Sequence, residues 1–167
     1  MNAIYCDTRE KPQAIESLSE QIKKKGYELV RTKLYVGDYQ LLSNPYLVVD
    51  RKQNLQEIIG NVTHDHKRFK AELERAQELG IHVIVLIEHS PAIKCIDDIR
   101  YWHNPRLKVS PKATTGAQLI KILTTMEMVY DVEFQFCAKN QTGNKIVEIL
   151  EKGAVEHGKT SKEQRVD

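Results

Sequence analysis

Apolar residues change period several times along this chain, and each change marks an element. Residues 2–6, NAIYC, read as a short extended segment that runs into Asp7, Thr8, Arg9 and Glu10. Pro12 sits where the first turn of a helix tolerates it. Ile15, Leu18 and Ile22 follow at helical spacing, and Gly26 is the stop signal. YELVRTKLYV and DYQLLS read as strands separated by Gly37, and YLVVD as a further strand entered through Ser43, Asn44 and Pro45, which predicts a meander at the centre of the domain.

After Lys52 the period lengthens. LQEIIGNV predicts a short helix, and DHKRFKAELERAQELG a longer one with Asp65 as its N-cap, Phe69, Leu73, Ala76 and Leu79 on the buried side, and Gly80 as its end. IHVIVLIE is a continuous apolar run of strand length, as expected of a strand covered on both faces. Residues 89–115 carry Pro91, Pro105 and Pro111 without sustained periodicity and predict an excursion from the core, a functional loop or one holding a short helix around residues 93–99. Helical spacing resumes through Leu119, Leu123, Met126 and Tyr130. VEFQFCA then predicts an edge strand, NKIVEILEKGAVE a closing helix, and residues 157–167 a frayed polar tail.

A length of 167 residues suits one domain with one substantial core. No apolar run approaches the roughly 20 residues that span a bilayer, and Asp7 and Glu10 interrupt the place where a secretion signal would need its apolar core. The expectation is an intracellular protein away from membranes, cytoplasmic if the source is bacterial, archaeal or a phage. Cys6, Cys95 and Cys137 are too scattered for a disulfide framework or a zinc knuckle. The net charge of +2 says little, but Arg100, Arg106, Lys108, Lys112 and Lys121 lie in a stretch without acids.

The candidate chemistry lies around the central hairpin. With Asp38 opening one strand and Asp50 closing its antiparallel neighbour, both carboxylates reach the same end of the sheet, close enough to share a hard cation. Asp7 and Glu57 are further oxygen donors, and a phosphodiester would complete the shell of Mg²⁺. Lys52 follows Asp50 by two residues and shares its face, where it would orient a nucleophile or offset charge on a phosphate. Arg51 points the other way, toward Glu57 or another acid. Arg9 and Glu10 resemble a supporting ion pair, with phosphate clamping as a second role for Arg9. Against all this, an aspartate beside glycine is commonly a turn former, and the apolar run before Asp50 is what argues for a partner.

Other signals are weaker. His64, Asp65 and His66 lack a closing ligand for a metal. Lys67, Arg68 and Lys70 are candidate DNA contacts or a solvated helix face. Trp102 either stacks on a base beside the phosphate-neutralising Arg106, Lys108 and Lys112 or anchors its loop on the core. No dinucleotide fingerprint, phosphate-cradling glycine loop or Ser-His-Asp set is found, so no nucleotide cofactor is expected.

Asp7, Arg9 and Glu10, then Gly37 and Asp38, then Asp50, Arg51 and Lys52 followed by an acid on a helix together resemble the nuclease domain of the XPF family of structure-specific endonucleases. The family's glutamate before Arg-Lys is Asp50 here, one methylene shorter, and its following acid corresponds to Glu57, one position late. The resemblance implies an α/β, restriction-endonuclease-like core with a mixed central sheet flanked by helices, and a single nuclease domain over residues 1–156. It implies Mg²⁺- or Mn²⁺-dependent cleavage of branched, flap or fork DNA, with Arg68 and Gln77 near the substrate. A homodimer is a further implication, with the helix over 116–130 as one candidate surface. The alternatives are a catalytically idle DNA-binding or scaffold subunit, or a nuclease of the same fold acting on four-way junctions or unbranched DNA.

Overall fold

The computed structural model describes residues 2–163, with side chains described through residue 154. Its elements are β1 (Ala3–Asp7), α1 (Pro12–Lys24), β2 (Glu28–Thr32), β3 (Tyr39–Leu41), β4 (Asn44–Lys52), α2 (Leu55–Val62), α3 (His66–Glu78), β5 (His82–His89), α4 (Gly116–Val129), β6 (Val132–Ala138) and α5 (Thr142–Glu163). Short 3-10 turns at Ile96–Tyr101 and Pro105–Lys108 sit inside the excursion after β5. The closing helix therefore continues past the expected start of the polar tail, and residues 164–167 lie outside the described part.

The strands form one mixed sheet in the order β2-β1-β3-β4-β5-β6. β1 runs parallel to β2 and antiparallel to β3; β3 and β4 form the hairpin, and β4, β5 and β6 run parallel. The expected three-strand meander is thus corrected. β2 ends at Thr32, and β1 lies between it and β3, joined to β2 through α1 as a parallel crossover unit. Alternating apolar residues at 27–36 signalled extended chain, but periodicity carries no information on the pairing partner. β5 is an interior strand between β4 and β6, covered on both faces, and β6 is an edge, as the sequence predicts.

Strand alternation sends two apolar layers to opposite faces. Val48, Val83, Val85 and Ile87 meet α2, α3 and α4 through Leu55, Ile58, Phe69, Leu73, Leu119 and Leu123. Val49, Ile84 and Leu86 meet α1 and α5 through Ile15, Leu18, Ile22, Ile146 and Leu150. Each of these aliphatic side chains contributes about 1.5–3 kcal/mol by leaving water. Leu79 belongs to neither layer: it is 47% exposed, because α3 ends at Glu78 and the chain turns at Gly80. Asp65 occupies the N-cap position of α3 but makes no capping hydrogen bond, and lies 3.8 Å from Arg68 instead. Thr115 and Gln118 start α4 with a reciprocal capping box.

Candidate active site

β4 places Asp50 and Lys52 on one face of the strand and Arg51 on the other. Asp50 and Lys52 follow Val48 onto the face covered by α2 and α3, while Arg51 follows Val49 onto the other. Lys52 Nζ lies 3.2 Å from Asp50 Oδ2 and 5.6 Å from the centre of the Phe69 ring. Burial disfavours its charge, but Asp50 and then Asp38 outweigh burial and raise its pKa above the ordinary lysine value. Lys52 is therefore a resident ammonium rather than a free base.

Asp38 does not open β3; it is the last residue of a turn that precedes Tyr39. The turn is pinned at several points. Gly37 adopts φ 74°, and a Cβ there would stand 2.9 Å from Val48 Cβ, so only glycine fits so close to β4. The Asp38 amide donates to Val49 O, the Asp7 amide to Asp38 O, and the Arg51 amide to Asp38 Oδ2, each at 2.8 Å. Burial raises the pKa of Asp38 well above the usual aspartate range, and the charges of Asp50 and Glu10 and a side-chain contact with Asp50 add to it. The two carboxyl groups foreseen at the hairpin ends thus meet across the β3–β4 pair.

The remaining acids have clear partners. Asp7 is fully buried; its Oδ1 accepts from the Arg9 amide at 2.8 Å and Arg9 Nε at 2.7 Å, and its Oδ2 accepts from the Leu34 amide at 2.7 Å. Burial pushes its pKa up, but these donors outweigh burial and hold it below the usual value. Glu57 accepts the Gln53 amide at 2.7 Å at the start of α2, whose N-cap is Asn54. Arg9 and Glu10 do not pair with each other. Glu10 Oε2 instead receives Arg51 Nη2 at 2.7 Å, and Arg51 Nη1 donates to Glu88 Oε1 at 2.9 Å, all three buried. Burial works against the Arg51 charge, yet the two glutamates outweigh it and raise its pKa. Glu88 is this network's unforeseen member, although a carboxylate at the end of an apolar strand carries the same signal that drew attention to Asp50.

Asp38, Asp50, Lys52 and Glu57 open into a cleft of about 440 Å³ lined also by Arg9, Glu10, Tyr35, Arg51, Asn61, Arg68, Phe69, Glu72 and Arg75; Asp7, fully buried, is not part of its lining. It lies at the carboxyl end of β4, where open α/β sheets characteristically receive ligands. Asn61 Oδ1 is buried there without a hydrogen-bond partner. Among the described residues no three His, Cys, Asp or Glu side chains stand grouped to hold a metal. The Asp38–Asp50 pair alone nevertheless fits a hard cation that keeps several waters, because it offers oxygen donors whose mutual repulsion a cation would relieve.

The ERCC4 domain family matches residues 6–149. The chain belongs to the ERCC4 domain family. Its structure is similar to XPF from Aeropyrum pernix, with a TM-score of 0.64 at 17% identity over 97% of this chain and 70% of that one. It is similar also to the complex of the same protein with DNA, with a TM-score of 0.64 at 16% identity over 93% of this chain and 66% of that one. At such identities the likeness is one of fold, and it places the mixed sheet and its helices in the restriction-endonuclease-like ERCC4 core. Comparison with curated protein sequences finds no match. The family resemblance read from Asp7, Asp38 and the Asp50-Arg51-Lys52 run is thereby borne out.

Not every expected contact residue reaches this ERCC4 cleft. Arg68 lines it, but Gln77 does not, since nine residues at about 100° each make about two and a half turns and leave the two on opposite sides of the helix. Lys67 is exposed at the start of α3. Trp102 packs partly buried against the α4-side layer, its ring edge-on to His89 at 6.2 Å, which is the anchoring arrangement. Arg106, Lys108 and Lys112 are exposed on the excursion, outside the cleft. Asn104 ties that excursion down, donating to Thr114 O and accepting from the Arg106 amide and Gln56 Nε2. No helix among the described residues is long and apolar enough to cross a membrane.

Proposed function

We propose that this ERCC4 domain is a divalent-cation-dependent DNA endonuclease that hydrolyses phosphodiester bonds in branched, flap or fork DNA. The observation that carries the reading is the meeting of Asp38 and Asp50 at the floor of the cleft beside the charged Lys52. Asp38 and Asp50 would hold Mg²⁺ or Mn²⁺, with Glu57 on the same wall. The cation would supply Lewis-acid polarisation of the phosphodiester and acidify a nearby water.

The protein's own groups account for the rest. The Lys52 ammonium, with Phe69 against it, would balance negative charge growing on the phosphate as water attacks phosphorus. The bond to the leaving oxygen breaks in line, leaving a 3′-hydroxyl and a 5′-phosphate. Arg9, Arg68 and Arg75 would bind flanking phosphates from the cleft walls. Asp7 would act by holding Arg9 and the turn before Asp38, since its oxygens already accept four hydrogen bonds between them. Support for DNA as partner comes from family membership and from the DNA-bound structure of XPF from Aeropyrum pernix.

The direct test incubates the protein and its Asp50→Ala variant with flap, fork, four-way, single-stranded and duplex DNA in Mg²⁺. Cleavage by the parent alone supports the reading; equal cutting by both would remove Asp50 from the site. A second reading, a DNA-binding subunit without hydrolysis, draws on the Lys52–Asp50 ion pair, which already gives Asp50 a counterion. It requires DNA affinity without cation binding. A homodimer and independence from nucleotide cofactors remain parts of the proposal, to be examined by light scattering and by activity in DNA and Mg²⁺ alone.

A further inference from the structure

Tyr35 is an aromatic residue kept out of the core beside the candidate catalytic carboxylates. Its neighbours Leu34 and Val36 are 7% and 2% exposed, whereas Tyr35 is 70% exposed and lines the cleft. The backbone on both sides is held: the Leu34 amide by Asp7, and the Gly37–Asp38 end by β4. The guanidinium of Arg75, from α3, lies over the Tyr35 ring at 5.7 Å from its centre. Tyr35 is thus positioned from the backbone side, three residues before Asp38, with a cation set across its ring and most of its surface open.

We propose that Tyr35, steadied by Arg75, is a stacking platform for an unpaired base of the DNA strand lying in the cleft. The inference rests on the nuclease reading above and deepens it by naming the substrate feature this wall selects. A base inside a continuous duplex has both faces covered by its neighbours, so only an unpaired, terminal or splayed nucleotide can offer a face to the ring. Stacking is indifferent to base identity because every base has a π-face. The wall therefore reads DNA structure rather than sequence. Arg75 adds a positive charge for the adjoining phosphate and a cation–π contact that keeps the ring in place.

The test uses fork DNA with an abasic site, or with 2-aminopurine, at each nucleotide around the branch point in turn. Binding of the full chain is measured in Ca²⁺ for the parent, Tyr35→Phe and Tyr35→Leu, with melting temperatures showing that each variant is folded. The parent and Tyr35→Phe are expected to quench 2-aminopurine at one position. They should also lose about ten-fold in affinity when that position is abasic, within the range that base–aromatic stacking supplies. Tyr35→Leu is expected to lose both effects, binding intact and abasic forks alike. If Tyr35→Leu keeps the parent's quenching and its preference for the intact base while the parent binds and cuts DNA, the platform is refuted and the nuclease reading stands. If the parent neither binds nor cuts any of these DNAs, both fall together.

Discussion

Lys52 Nζ and Asp50 Oδ2 are 3.2 Å apart on one face of β4, and Arg51 between them is turned into the opposite layer to meet Glu10 and Glu88. A three-residue run thus serves two charge systems, Asp50 with Lys52 and Arg51 with Glu10 and Glu88; the second locks the sheet to the loop after β1, and its Arg51 and Glu10 also reach the cleft lining. This division predicts different consequences for substitutions at adjacent positions.

Lys52→Met should lower the stability of the metal-free fold, because buried Asp50 loses its ion-pair partner. It should leave DNA affinity nearly intact while lowering the cleavage rate by about 10²–10³, the usual cost of removing one group that stabilises transition-state charge. Single-turnover cleavage beside a binding titration separates the two quantities. An equal loss in affinity and rate would make Lys52 a binding residue instead.

Arg51→Met should destabilise the fold by about 3–5 kcal/mol, because Glu10 and Glu88 would remain as buried carboxylates without their common partner. Urea denaturation gives the number. Restoring stability by combining Arg51→Met with Glu10→Gln and Glu88→Gln would tie the loss to the uncompensated charges.

Asp38→Asn should raise the melting temperature in the absence of divalent cations while abolishing cleavage. It removes one of two carboxylates that oppose each other at the cleft floor. Relief of about 1 kcal/mol corresponds to roughly 2–4 °C for a chain of this size. A lower melting temperature would show that Asp38 is needed mainly for its hydrogen bond from the Arg51 amide.

Acid sensitivity should trace partly to Asp7. Its folded pKa is depressed, so the stability it contributes is fully present above its unfolded value near 3.8 and is lost as pH falls through the lower folded value. Denaturation midpoints measured from pH 6 to pH 2 should fall less steeply for Asp7→Asn than for the parent. Parallel curves would contradict the assignment.

The thiols should also separate. Burial pushes the Cys6 thiol up to about 11, while Cys95 is exposed. A thiol reagent at pH 8 should label Cys95 quickly and Cys6 only after unfolding, and Cys95→Ser should remove the fast phase.

Most elements were legible because their burial follows the period of the apolar residues: Ile15, Leu18 and Ile22 in α1, and Phe69, Leu73 and Ala76 in α3, are buried as the spacing predicts. The order of strands was not legible. β1 lies between two strands that follow one another in sequence, and that depends on a crossover which alternation does not encode. The convergence of Asp38 and Asp50 was legible from turn and strand placement, as was the shared face of Asp50 and Lys52. The partners of the ions were not. Arg9 pairs with Asp7, and Glu10 with Arg51, because the chain reverses after β1 and brings position 10 to the back of β4. The cleft's far wall of Tyr35, Asn61, Glu72 and Arg75 comes from segments whose exposed polar residues look like ordinary surface in sequence.

The central claim is that Asp38 and Asp50 together hold one divalent cation at the bottom of this cleft. Titration of Mn²⁺ into the protein, followed by calorimetry, tests it without reliance on any DNA. The account predicts one site in the parent that is lost in both Asp38→Asn and Asp50→Ala, and kept in Lys52→Met. Mn²⁺ affinity unchanged by either aspartate substitution, or no Mn²⁺ binding by the folded parent, would contradict it.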